Sequence, residues 1–195
     1  MALKQTAVVM TAEEYLAGEE IAKNKHEFID GEIYAMSGAS KNHERISGNI
    51  FRKIGNFLEG SPCEPFSSDV KVKVGSDFFY PDAMVVCDDQ TEDDYYTETP
   101  TIIIEVFSKS TRRYDATIKR TAYQSIPTLQ EYVLIEQDFV DVEVSKKKDQ
   151  WSSRHYLLGD SLILESIGLT IKVEDLYQRV QNEDMREFLI SRDKP

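Results

Sequence analysis

"YPDAMVV" (residues 80–86) and "IIIEVF" (residues 102–107) decide how the fold is read. Each is a short, nearly continuous apolar run, as expected for a central strand covered on both faces. Each also carries one carboxylate: Asp82 just ahead of the first run, after Pro81, and Glu105 inside the second. A charge in an apolar strand needs compensation, because even a polar group buried without a partner costs about 2–7 kcal/mol. If the two strands are neighbours, both carboxylates lie on one face at one edge of a sheet. Two such charges raise each other's pKa, and a divalent cation removes the conflict. Carboxylates and water suit Mg²⁺ or Mn²⁺ better than zinc. The competing readings are a turn-capping aspartate after Pro81 and a Glu105 held in a buried ion pair with lysine or arginine.

Lys119 lies one helical turn beyond Asp115, in "DATIKRTAYQS" (residues 115–125). Asp115 reads as the cap of a helix that runs to about Ser125 and is closed off by Pro127. Lys119 then has two readings. It is a solvent-facing i,i+4 partner of Asp115, or its ammonium reaches inward to the carboxylates. In the second case it would orient or help deprotonate an attacking water, or stabilise charge on phosphate oxygens.

The flanking segments supply helices and further strands. "TAEEYL" has the capping-box spacing, Thr11 to Glu14, so a first helix is expected from about Thr11 to Ala22. "HEFIDGEIYAMS" (residues 26–37) reads as a hairpin turned at Asp30-Gly31. In the next segment Ile46, Ile50, Phe51, Ile54, Phe57 and Leu58 fall on one helical stripe, with Ser40 as cap and Gly60 as stop. "EPFSSDVKVKV" and "FFYPDAMVVC" each read as one strand, and "EYVLIE" (residues 131–136) as another central one. "FVDVEVSKKKDQ" and "WSSRHYLL" read as a hairpin meander, and "LTIKVEDLYQRV" as a strand and short helix that end the ordered chain. The whole is α/β or α+β: a central mixed sheet flanked by helices, with additional hairpins. One domain is expected over 1–195, with a core at about 40–136, an N-terminal helix and hairpin at 11–37 and a C-terminal meander and helix at 138–190.

Composition narrows the function. Charged residues are 30% and hydrophobic residues 41% of the chain, an ordinary globular balance. No apolar run approaches a membrane span, and the start is no signal peptide, so a cytoplasmic protein is expected. Cys63 and Cys87 match no metal spacing; one cross-link between them is open, but reduced thiols are the simpler reading. The net charge of −12 repels nucleic acid and anionic membranes. An enzyme acting on nucleic acid would need a local basic region. Residues 109–120 carry five bases and one acid, whereas residues 87–99 carry six acids and no base.

The blocks "KHEFIDGEIYAMSGASKNHERISGNI", "YPDAMVV" and "IIIEVFSKSTRRYDATIKRTAYQSIPTLQEYVLIEQD" resemble the Uma2 family of restriction-endonuclease-like proteins, within the PD-(D/E)XK nuclease superfamily. The likeness spans roughly residues 10–180. It implies a restriction-endonuclease-like core and a Mg²⁺- or Mn²⁺-dependent endonuclease acting on DNA. It puts Asp82 and Glu105 in the acidic metal-binding roles, with Glu27 at the upstream acidic position. The superfamily's lysine two residues after the glutamate is absent, since Phe107 stands there, and Lys119 is its natural replacement. Ser108, Ser110 and Thr111, followed by Arg112 and Arg113, read as a phosphate-contacting loop or as a turn with surface arginines. His43 resembles a family histidine near the cleft, with a helix N-terminal polar residue as the alternative; "HERIS" is no zinc-protease motif, because it lacks the second histidine. Asp69 reads as a neighbour of the metal-bound acids or as an edge-strand charge, and His26 as exposed. A homodimer pairing basic patches around a duplex is a fold-level expectation. Two other functions compete: a non-catalytic binding module on a nuclease-like scaffold, and a hydrolase of smaller phosphates.

Overall fold

The computed structural model describes residues 10–36, 38–108 and 112–192. Ser110, with Lys109 and Thr111, falls outside the described residues. The chain forms two mixed sheets and a separate hairpin, with helices on both faces of the larger sheet.

That sheet is six-stranded, in the order β11-β10-β9-β8-β6-β3. Its strands are β3 (Glu64–Ser67), β6 (Ala83–Val86), β8 (Ile102–Phe107), β9 (Glu131–Glu136), β10 (Val142–Lys146) and β11 (Ser153–Tyr156). β8 and β9 are parallel, and β6 is antiparallel to β8. All residues of β6, β8 and β9 are buried, as expected of their largely apolar runs, with Glu105, Glu131 and Glu136 buried among them. Alternation sorts β8 between two cores. Ile102, Ile104 and Val106 join the core that also contains Ile46, Ile50 and Ile54. Ile103 and Phe107 join a second core with Tyr123 and Leu129. Glu105 follows that second parity.

Helix α1 (Ala12–Glu19) opens with the expected box, in which Glu14 N donates to Thr11 Oγ1 at 3.2 Å and Thr11 N to Glu14 Oε2 at 2.9 Å. Strands β1 (His26–Ile29) and β2 (Glu32–Ala35) form the hairpin, and Asp30 and Gly31 take the positive φ of 50° and 82° that its two-residue turn demands. Helix α2 (Lys41–Phe57) is capped by Ser40 and buries Ile46, Ile50 and Ile54. Phe57, expected on the buried stripe, is half exposed.

Four expectations are corrected. "EPFSSDVKVKV" is two strands: β3 ends at Ser67, and β4 (Lys71–Val74) belongs to the other sheet. "FFYPDAMVVC" is likewise split at Tyr80-Pro81-Asp82, with β5 (Asp77–Phe79) in the five-stranded sheet β2-β1-β5-β4-β7 and β6 in the larger one; β7 is Tyr96–Thr97. Pro81 has no N–H for a ladder, so the chain changes sheets there. The C-terminal hairpin, β12 (Ser161–Leu164) with β13 (Leu169–Lys172), leads to the expected short helix α5 (Val173–Leu176), but a further helix α6 (Glu183–Arg192) follows. Cys63 and Cys87 form a disulfide, not the free thiols of the simpler reading. The register Glu64↔Val86 explains it, because one step further sets Cys63 opposite Cys87, with Cα atoms 3.8 Å apart. No helix among the described residues is long and apolar enough to cross a membrane.

Candidate active site

The register Ala83↔Ile104, carried on by one residue, sets Asp82 beside Glu105 at the edge of the β6–β8 pair. Asp82 Oδ2 accepts from Val106 N at 2.7 Å, which fixes its carboxylate against the neighbouring strand. The turn-capping reading is therefore incomplete: Asp82 bridges two central strands. Its Oδ2 also lies 3.2 Å from His43 Nε2, brought in by the first turns of α2. His43 is buried and its pKa is raised: burial opposes its charge, but the Asp82 carboxylate outweighs that.

The helical segment over the second core differs from expectation. It starts at Arg112, not at Asp115, and consists of α3 (Arg112–Tyr114), a π-helical turn (Asp115–Lys119) and α4 (Arg120–Gln124). Thr117 Oγ1 donates to Arg113 O at 2.6 Å and Thr121 Oγ1 to Thr117 O at 3.0 Å, giving carbonyls of the widened turn side-chain partners. Asp115, Lys119 and Tyr123 all point inward and are buried. Asp115 is thus no helix cap, and Lys119 does not face solvent.

Lys119 Nζ sits among three carboxylates. It is 2.8 Å from Glu27 Oε1, 3.0 Å from Glu105 Oε1 and 3.5 Å from Asp115 Oδ1. Glu27 reaches it from β1 and also accepts from Tyr80 N at 3.0 Å. Tyr123 Oη donates to Glu105 Oε1 at 3.0 Å. Burial lowers the Lys119 pKa, but Glu105, Glu27 and Asp115 together hold it well above the ordinary lysine value. Lys119 is therefore an ammonium. Burial first, and then Asp115, Asp82 and Glu27, push the Glu105 carboxyl up, against the opposing pull of Lys119. One ammonium does not balance the acids around it.

Glu27, Asp82, Glu105, Asp115, Lys119 and His43 all line one cleft of about 1300 Å³. The cleft thus gathers the four residues expected as catalytic, and His43 with them. It does not gather the arginines. Arg112 pairs with Glu136 and, at 3.7 Å, with Asp138, and Arg113 is exposed; neither lines the cleft. Asp69 is an exposed edge charge paired with Lys25. His26 is only partly exposed and bonds Glu19 Oε2 through Nδ1 at 3.1 Å, which corrects its solvated reading.

Gln137, Asp115 and Tyr123 were missed. Gln137 Nε2 donates to Phe107 O at 2.7 Å, and its Oε1 accepts from Ser40 Oγ, which in turn accepts from His43 N at 3.1 Å. It ties the end of β9 to the cap of the helix that carries His43. The sequence signal for the other two is the 115/119/123 spacing, which places three buried side chains on one helical face.

Among the described residues, no group of three or more histidine, cysteine, aspartate or glutamate side chains is arranged to hold a metal ion. Lys119 stands between Glu27 and Glu105, so the three acids expected as ligands share a cleft without forming a ligand set. Asp82 and Glu105 alone remain a fitting pair of hard oxygen donors, since Mg²⁺ is commonly held by one or two carboxylates and water.

A mixed sheet that delivers two carboxylates and a lysine to one cleft defines a nuclease-like class. The Uma2 family model, described as "Putative restriction endonuclease", matches residues 12–174, and the chain belongs to that family. Two relatives come from Synechocystis sp. (strain PCC 6803). "Uncharacterized protein slr1290" is 38% identical over 175 residues, covering 87% of this chain and 92% of its own. "Uncharacterized protein sll1609" is 34% identical over 187 residues, covering 92% and 100%. A crystal structure from Anabaena variabilis, titled "a putative nuclease belonging to DUF820", superposes with a TM-score of 0.72 at 17% identity, covering 88% of this chain and 99% of that one. That likeness establishes the fold.

Proposed function

We propose that this protein is a metal-dependent endonuclease that hydrolyses phosphodiester bonds in DNA. The observation that carries the reading is the meeting of Asp82, Glu105 and Lys119 at one sheet edge inside one cleft. Asp82 and Glu105 would hold Mg²⁺ or Mn²⁺, whose chemistry when bound would be polarisation of the phosphate and a lowered pKa for water. Glu27 is assigned to Lys119, which it positions together with the Tyr80 N–H. Lys119 stands beside Glu105, where its side chain would orient or help deprotonate the attacking water or stabilise charge on the phosphate oxygens. His43 and Gln137 fix Asp82 and the end of α2. A homodimer through the open edge strand β11 belongs to the same reading and is checked by light scattering.

Calorimetric titration with Mg²⁺ and Mn²⁺ of the native chain, Asp82→Ala and Glu105→Ala, with plasmid and single-stranded DNA cleavage on the same samples, tests the reading. Metal binding and cleavage lost together in both variants support it. One observation favours a non-catalytic scaffold: the Glu105–Lys119 pair already gives Glu105 a protein cation. Absence of metal binding at millimolar cation would decide for that scaffold.

A further inference from the structure

The cleft's outer wall differs in character from its floor. Lys23 follows α1, and Lys41 and Arg45 sit on the first turns of α2; all three line the cleft. None of them makes an ion pair among the described residues, whereas Lys25, Lys53, Lys73, Arg112 and Arg120 are each matched with a carboxylate. Unmatched cations therefore stand at the mouth of an acidic cleft in a chain of net charge −12. Aromatic rings stand there too. Tyr34, on the wholly exposed strand β2, is 44% exposed and lies 6.2 Å from the Tyr114 ring, centroid to centroid. Both rings line the cleft, and the Tyr114 hydroxyl is buried without a hydrogen bond among the described residues.

Cations that track a backbone beside exposed rings are the means of holding a single strand, whose unpaired bases stack on aromatic faces. A paired duplex hides those faces. It also brings one charge per about 1.7 Å against about 3.4 Å for one strand, so the acidic body repels it more. We infer that the cleft takes a single nucleic-acid strand, with phosphates along Lys23, Lys41 and Arg45 and a base against Tyr34 and Tyr114. This deepens the phosphodiesterase reading and rests on it for where the strand would be cut.

The test is binding of fluorescent oligonucleotides in EDTA, which removes any need for cleavage. The probes are single-stranded DNA, single-stranded RNA of the same sequence, and the corresponding DNA duplex. The proteins are the native chain, Tyr34→Ala, Lys41→Glu with Arg45→Glu, and, as a charge-matched control, the exposed pair Lys172→Glu with Arg186→Glu; thermal melting shows that each is folded. The single strand is expected to bind about tenfold tighter than the duplex, with that preference reduced in Tyr34→Ala. Lys41→Glu with Arg45→Glu is expected to weaken it by at least about tenfold and Lys172→Glu with Arg186→Glu by less than about twofold. The two single-stranded probes distinguish DNA from RNA as the source. Equal or tighter duplex binding, no binding to any probe, or equal losses in the rim and control variants would overturn the inference. Hydrolysis of bis(p-nitrophenyl) phosphate with Mn²⁺ reports separately on the phosphodiesterase reading, so either proposal can fail alone.

Discussion

Glu105 is 3% exposed and its carboxyl is raised mainly by burial. The folded state therefore binds a proton more tightly there than the unfolded chain does. Its contribution to stability falls as pH rises from the ordinary carboxylate range through the raised value. Lys119 changes in the same direction over a higher pH range: its raised pKa gives stability that is present below the ordinary lysine value and lost as pH rises through the raised one. Glu105→Gln keeps the shape and removes a buried charge, while Lys119 retains Glu27 and Asp115. It should abolish cleavage yet raise the melting temperature by about 2–4 °C at pH 7, on the order of 1 kcal/mol. Scanning calorimetry with a cleavage assay checks this, and a lower melting temperature would show that the pair stabilises the fold. Lys119→Met does the reverse, leaving buried acids without their cation. It should cost about 3–5 kcal/mol at pH 7. The loss should shrink at pH 5, because the acids, now raised further, take up protons when folded. Urea unfolding at the two pH values measures it. The sequence made Glu105 and Asp82 legible, because a charge in or beside an apolar run must be explained, whereas Lys119, in a mixed polar helix, kept a solvent-facing reading open. It did not show which of the acids Lys119 would neutralise, since that depends on a neighbouring strand far away in the chain.

At the scale of elements, local chemistry was legible and changes of sheet were not. The Thr11–Glu14 box, the Asp30-Gly31 turn and the isoleucine stripe of α2 each follow from contacts within a few residues. The split of "FFYPDAMVVC" does not, because both halves are apolar and lie in covered sheets; only Pro81 marks the break. The π-helical turn was hidden for a related reason: an extra residue in a turn leaves no mark in an i,i+4 pattern. Helix α6 buries only Met185, so its sequence carries no clear apolar face. The disulfide also belongs to this scale, because it joins edge strand β3 to the strand that Asp82 precedes. Closing a loop with a sequence separation of 24 residues should contribute roughly 3 kcal/mol. Cys63→Ser, or dithiothreitol on the native chain, should lower the urea midpoint accordingly. An unchanged midpoint in both would mean that the two thiols do not pair in solution.

For the whole molecule, the question is how a chain of net charge −12 would hold the polyanion that the proposed function requires. Long-range repulsion slows encounter, so attraction must come from a few cations close to the bound strand. The basic segment at residues 109–120 was the sequence's candidate, but its described bases are largely committed. Lys119 is buried among acids, Arg112 pairs with Glu136, and Arg120 pairs with Glu143. The fold instead sets Lys23, Lys41 and Arg45 along one cleft, although Lys23 follows α1 and the other two sit in the first turns of α2. Three phosphate contacts on a single strand release few counterions. The logarithm of the binding constant should fall against the logarithm of salt concentration with a slope of about −2, from about −0.7 per contact. Arg45→Gln should make that slope shallower by about 0.7. Anisotropy titrations across a salt series measure both quantities. A native slope steeper than about −4 would require more phosphate contacts than this rim supplies, and would place the strand elsewhere on the surface.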